Sequence, residues 1–110
     1  MTTRQFVLTR TNNPGLRFRG VLIAEASSSP DRAHPRFSGQ TGIWHELSLY
    51  QMTDGRFVAY KQEHSLWVGA RPVEIGAVCA DESEVYAFFG YDWLAMALYD
   101  EADIDCTVDV

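Results

Sequence analysis

Not one Lys or Arg lies within residues 81–110, a stretch that carries nine carboxylates. The first forty residues are the reverse, with six Arg against two acids. Net charge therefore runs +4, −1 and −9 over residues 1–40, 41–80 and 81–110, which sums to the −6 of the whole chain. A pole of one sign repels nucleic acid and anionic lipid and attracts basic partners, so it constrains association more than fold. Long hydrophobic runs are also lacking. None approaches the roughly 18 residues of a membrane span, and Met1-Thr2-Thr3-Arg4-Gln5 leads into no apolar stretch of secretory type, so no membrane contact and a cytoplasmic location are expected. Cysteine is scarce: Cys79 and Cys106 show neither CxxC nor framework spacing, and small buried hydrophobes are expected rather than a disulfide.

The signatures of catalysis are absent too. His34, His45 and His64 stand in three separate contexts, and a zinc site built from them and the cysteines would have no paired spacing. Asp103-Ile104-Asp105 offers the first two ligands of a calcium loop without its Gly or distal Glu. A Cys-His nucleophile needs a thiolate, which an apolar strand end (Cys79) or an inward tail position (Cys106) disfavours. His45 and Glu46 are neighbours on a strand and point to opposite faces, so they cannot act as one acid/base pair. The glycines never cluster ahead of a helix as a phosphate loop requires. The expectation is no enzyme, no metal and no cofactor.

What remains is a chain of 110 residues, 46% hydrophobic, with fourteen aromatics. That suits one domain, residues 1–110, with a modest core. Residues 5–9 read as a strand. Thr11-Asn12-Asn13-Pro14-Gly15 closes it, with Pro and Gly placed as a type II turn prefers. Residues 16–26 form the second arm, with Arg17 and Arg19 on its outer face. Residues 27–42 then turn to Ser, Pro, Gly, His and Arg, a long loop and a candidate cover for a ligand pocket. Residues 43–51 and 56–62 flank Asp54-Gly55, a preferred hairpin turn in which both residues take positive φ. A two-residue loop sets Leu49 opposite Tyr60 and Tyr50 opposite Ala59. Leu47, Leu49, Val58 and Tyr60 then share one face, and Trp44, Tyr50, Met52 and Phe57 the other. Leu66-Trp67-Val68, a turn at 69–72 and a strand at 73–79 follow.

Helical grammar begins at Asp81, an N-cap with Glu84 three residues on, followed by Val85, Phe88 and Phe89 at helical spacing and Gly90 as a stop. Asp92 caps a second helix, with Leu94, Ala97, Leu98 and Glu101 along one side and Trp93, Met96 and Tyr99 flanking it. Ile104, Cys106, Val108 and Val110 then alternate with Asp103, Asp105, Thr107 and Asp109, the period of a half-buried strand whose outer face is acidic. Such a row serves either as a contact surface or as the charged defence of an edge strand.

The hairpin text Trp44-His45-Glu46-Leu47-Ser48-Leu49-Tyr50, continued by Gly55-Arg56-Phe57-Val58, resembles that of small bacterial proteins of the EXLDI type, which also end in an acidic segment. The likeness is confined to the hairpin, and Asp103-Ile104-Asp105-Cys106 does not reproduce that family's closing signature. It implies a bacterial or mobile-element origin and carries over no activity and no residue role.

The expected fold is α+β: a mostly antiparallel sheet of about five or six strands with two short helices packed on one face, a long loop at 27–42 and an acidic strand at 103–110. The expected function is a non-enzymatic inhibitor of phage or plasmid type, anti-CRISPR or antirestriction. Its acidic surface (Asp81, Glu82, Glu84, Asp100, Glu101, Asp103, Asp105 and Asp109) would occupy the basic groove of a nucleic-acid-binding protein, with no direct contact to nucleic acid. Two alternatives stand beside it. One is a housekeeping or self-assembly module that uses the hairpin face of Trp44, Tyr50 and Phe57. The other is a small enzyme or ligand-binding domain with its pocket under the 27–42 loop.

Overall fold

The computed structural model describes residues 3–28, 43–65 and 71–107. Most of the expected loop at 27–42, the segment at 66–68, part of the turn at 69–72 and the tail from Val108, with Asp109, lie outside these residues. Five antiparallel strands form a meander: β1 (Arg4–Arg10), β2 (Asn13–Ser27), β3 (Ile43–Met52), β4 (Phe57–Ser65) and β5 (Val73–Cys79), each hydrogen-bonded to its neighbour in sequence. Two helices follow, α1 (Glu82–Phe89) and α2 (Trp93–Ala102), and pack on one face. The fold is α+β, as the sequence implied.

The turns differ from expectation in instructive ways. Between β1 and β2 the loop is Thr11-Asn12, closed by the pair Arg10 and Asn13, and Asn12 takes the left-handed conformation at φ 59°. Asn tolerates that region better than most residues, so Pro14 and Gly15 are left inside β2. Pro14 costs no ladder bond there, because β2 pairs with β3 only from Gly20 onward.

At the second hairpin, the Met52 amide donates to Arg56 O at 2.7 Å and the Gly55 amide to Met52 O at 3.0 Å. The loop is thus three residues, Thr53-Asp54-Gly55, with positive φ at Gly55 (94°) and not at Asp54. Asp54 instead accepts from the Arg56 amide at 3.0 Å and pairs with the Arg56 guanidinium at 2.8 Å. The extra residue shifts the register, so Leu49 faces Ala59 and Tyr50 faces Val58. A one-residue shift flips a strand's faces. Phe57 and Ala59 therefore lie with Leu47 and Leu49 under the helices, while Val58 and Tyr60 join Tyr50 and Met52 on the other side. Phe57 does not share a face with Tyr50.

A bulge between Leu22 and Ala24 does the same to β2. Before it, Leu16, Phe18 and Leu22 point to the Tyr50 side; after it, Ala24 and Ala26 point to the helices. One strand thus serves two cores. The helix side gathers Ala24, Leu47, Leu49, Ala59 and Cys79 against Val85, Phe89, Leu94, Ala95, Leu98 and Tyr99. Leu94, Ala95, Leu98 and Tyr99 are the buried stripe of α2, whereas Ala97 and Glu101, expected to share a side with Leu94 and Leu98, are exposed. On the other side the sheet curls until β1 meets β5, enclosing Phe18, Tyr50, Val58 and Tyr60 with Phe6 and Leu8 against them. Phe6, Phe18 and Tyr50 form an aromatic trio with ring centroids 4.8 to 5.4 Å apart.

The helix caps match the sequence signals. Asp81 accepts from the Glu84 amide at 3.1 Å and Asp92 from the Ala95 amide at 2.8 Å. Glu84 reaches back to the Ala80 amide at 3.1 Å, one residue past the N-cap amide that a formal capping box engages. Gly90 ends α1 at φ 78°. The tail corrects the expected strand: residues 104–107 join no ladder. Their alternation survives as burial, with Ile104 and Cys106 packed on the helix core and Asp103, Asp105 and Thr107 in water.

Two glycines set the limits of this geometry. At Gly20, flanked by Arg4 on β1 and Met52 on β3, a Cβ would collide with the Gln51 carbonyl oxygen and stand 3.0 Å from Met52 Cα, backbone atoms that cannot swing aside. At Gly55 the space is open and only the positive φ objects. Gly20→Ala should therefore destabilise by about 2 kcal/mol or more through overpacking, and Gly55→Ala by about 1 kcal/mol through backbone strain. Urea denaturation of both variants checks the order; equal midpoints would refute the close approach at Gly20.

Candidate functional site

The acids of residues 81–107 divide into two groups by what they do for the fold. Asp81 and Asp92 cap helix N-termini, and Glu82 and Glu84 stand in the first turn of α1, where the helix dipole favours a negative charge. Asp100, Glu101 and Asp103 stand at the opposite end of α2, whose last turn holds no basic residue. There the same dipole disfavours them, and each sacrifices stability on the order of 0.3–1 kcal/mol. Asp103 adds a second cost. It is the C-cap, in the left-handed conformation at φ 59°, where Gly would be unstrained. The Ile104 amide donates to Tyr99 O at 2.9 Å across this cap.

Asp105 follows, exposed, accepting from the Thr107 amide at 2.9 Å; hydrogen bonding from the Thr107 side chain, then from its amide, holds the Asp105 carboxyl below the usual range. Asp100, Asp103, Ile104 and Asp105 line a shallow cleft of about 270 Å³. Among the described residues, none of these carboxylates has a Lys, Arg or His within ion-pair distance. The structure thus brings Asp100, Asp103 and Asp105 together, leaves Glu101 beside them on α2, and sets Asp81, Glu82 and Glu84 at the start of α1.

The hairpin residues part company. Tyr50 is buried in the curl, Phe57 packs under the helices, and Trp44 stacks on His64 with centroids 5.1 Å apart. His64 Nε2 lies 3.4 Å from Glu46 Oε1, and His45 Nε2 lies 3.1 Å from Glu63 Oε1 on the opposite face. Each histidine meets the acid of the facing strand, not its chain neighbour. Among the described residues, no group of three His, Cys, Asp or Glu could hold a metal ion. Cys79 is buried, and burial first, then Glu84 and Asp81, push its thiol up, which keeps it protonated and unreactive.

The curl closes through a polar clasp absent from the sequence reading. Glu74 on β5 accepts from the Thr9 hydroxyl at 2.6 Å, the Tyr60 hydroxyl at 2.7 Å and the Gln62 amide at 3.1 Å. Thr11 returns two bonds to the Glu74 backbone, one to its oxygen and one from its amide. Burial, then Glu74, push the Tyr60 hydroxyl up to about 12, so it remains a donor. Sequence reasoning also passed over Tyr91, Trp93 and Met96 as a surface, although all three are exposed and large. A helical wheel drawn from Asp92 carries that signal, since Trp93 and Met96 fall outside the Leu94, Leu98 stripe.

No family model, curated protein or solved structure matches this chain. No described helix is long and apolar enough to cross a membrane.

The clasp makes a pH prediction. Hydrogen bonds from Thr9, then Tyr60, hold the Glu74 carboxyl below its ordinary value of 4.5. A group depressed on folding contributes stability above its unfolded pKa, and that contribution is lost as pH falls through the folded value. The melting temperature of wild type should exceed that of Glu74→Gln at pH 7, and the gap should narrow below about pH 4. Parallel pH profiles would show that the clasp is not worth its bonds.

Proposed function

We propose that this protein is a small non-enzymatic binding module whose acidic pole, centred on the C-terminal end of α2, engages a basic surface of a protein partner. The observation that carries the reading is the placement of Asp100, Glu101 and Asp103. These acids oppose the helix dipole, and Asp103 holds a left-handed cap that Gly would hold at less cost, so they reduce stability where neutral residues, and Gly at 103, would not. Residues kept at a cost to the fold are those expected at a working surface. Solubility alone could be served by acids at helix starts, where they stabilise. A field of this sign steers basic partners and repels nucleic acid.

The finer form of the proposal is an inhibitor encoded by a phage or plasmid, anti-CRISPR or antirestriction in type. It would fill the groove of a nucleic-acid-binding protein. Its support is a net charge of −9 over residues 81–110. A self-assembly module on the hairpin face has less support, because Tyr50 lies inside the curl and Phe57 under the helices.

The test is a variant carrying Asp100→Asn, Glu101→Gln and Asp103→Gly. It should melt several degrees higher than wild type, since both the dipole conflict and the strained cap are relieved. As bait in a host lysate at low salt, wild type should retain basic nucleic-acid-binding proteins that the variant loses, identified by mass spectrometry. A variant that is less stable, or that captures the same proteins, would sink the proposal.

A further inference from the structure

We infer that the acidic pole carries an apolar strip that receives a basic amphipathic helix of the partner, with a row of apolar side chains set between Lys or Arg; this inference rests on the function proposed above. Tyr91 is 61% exposed, Trp93 45% and Met96 43%. Contacts join Tyr91 and Met96 into one surface, and helical spacing sets Trp93 beside Met96. The Tyr91 ring lies 5.9 Å from that of Tyr86, and the Tyr86 hydroxyl donates to Asp105 O at 3.2 Å. The next residue, Cys106, places its sulfur 3.7 Å from that of Met96, which stands one helical turn from Trp93. Tyr86 and Cys106 are half-buried, so the strip is anchored from below by the helix core.

Carboxylates rim the strip. Asp92 separates Tyr91 from Trp93 in the chain, and Glu82 Oε2 lies 3.5 Å from the Tyr86 hydroxyl. Asp105 is the residue whose carbonyl Tyr86 holds, and Asp100 follows Met96 by four positions on α2. Clustered Trp, Tyr and Met with a charged rim is the composition of a protein contact rather than of scattered surface residues. Charge complementarity names the occupant. Four acids call for Lys or Arg, and the exposed Tyr91 and Met96 between them call for apolar side chains on the same partner element. From Trp93 to Asp100 the strip runs about 10 Å at 1.5 Å per residue. An amphipathic helix with apolar side chains at i, i+3 or i+4, and i+7 spans the same length.

The probes are two synthetic helical peptides of equal length and equal Lys and Arg content, one with Leu at i, i+3, i+4 and i+7 and one with Gln there. Isothermal titration at two ionic strengths should give at least tenfold tighter binding for the Leu peptide. Trp93→Ala with Met96→Ala should erase that preference while leaving the Gln peptide's affinity unchanged. Asp100→Asn with Asp105→Asn should weaken both peptides. Should the double Ala variant fail to fold by circular dichroism, Tyr91→Ser and the shift of the Trp93 indole N–H resonance on adding the Leu peptide replace it. A preference unchanged by Tyr91→Ser and an unmoved resonance would overturn the strip. Equal affinity for both peptides, still sensitive to the Asp→Asn changes, would overturn the strip and leave the acidic pole standing. Binding of neither peptide at low salt would overturn both.

Discussion

Both faces of the hairpin formed by β3 and β4 are apolar, and water can be allowed against neither. Leu49 and Ala59 on one side, and Tyr50 and Val58 on the other, are all buried although a single sheet layer separates them. An antiparallel sheet ordinarily leaves one face to solvent. Here the helices cover the first face and the sheet's own curl covers the second. The bulge at Leu22 and Ala24 makes this possible within one strand, by switching β2 from lining the curl to lining the helix core. Among the described residues the elements are these five strands and two helices, with no separate third layer over the curl. The sheet serves as its own cover.

Signals that depend on neighbours in the chain were legible. Asp81, Gly90 and Asp92 mark helix ends because capping is a matter of three or four residues. The outward Arg17 and Arg19 follow from simple alternation. Errors arose where one residue changes a phase. Asp54-Gly55 suits a two-residue loop, yet Thr53 joins it, and with period two every face assignment on β4 reverses. Pro14-Gly15 suggested a turn that Asn12 takes instead. The bulge in β2 and the meeting of β1 with β5 leave no local trace. The tail kept its alternation without its ladder, because burial against helices imposes the same period as a sheet face. As for the candidate site, the charge asymmetry was plain from composition. What composition could not supply was the division between acids that cap and acids that strain, which requires knowing where α2 stops.

That division gives meaning to an otherwise generic feature. Acidic chains are common, and an exposed charge away from a helix end contributes little to stability in either direction. A carboxylate at a helix N-terminus and one at a helix C-terminus have identical composition but opposite energetic sign. Position therefore separates charge that builds the fold from charge the fold tolerates. Asp103, strained and unfavourably placed at once, is the clearest member of the second group.

The clasp between β1 and β5 bears on how the chain assembles. In the meander every strand pairs with its neighbour in sequence, so most of the sheet can form by successive short loop closures, the regime associated with rapid folding. The bond from Thr9 to Glu74 spans 65 positions, and that from Tyr60 to Thr9 spans 51. Their entropy of closure falls sharply once β2, β3 and β4 have brought the two ends within reach. The clasp is thus expected to be a late event, and the aromatic trio inside the curl to be among the last groups sealed from water. Native-state opening should begin at the same seam, with β1 as the strand that leaves first.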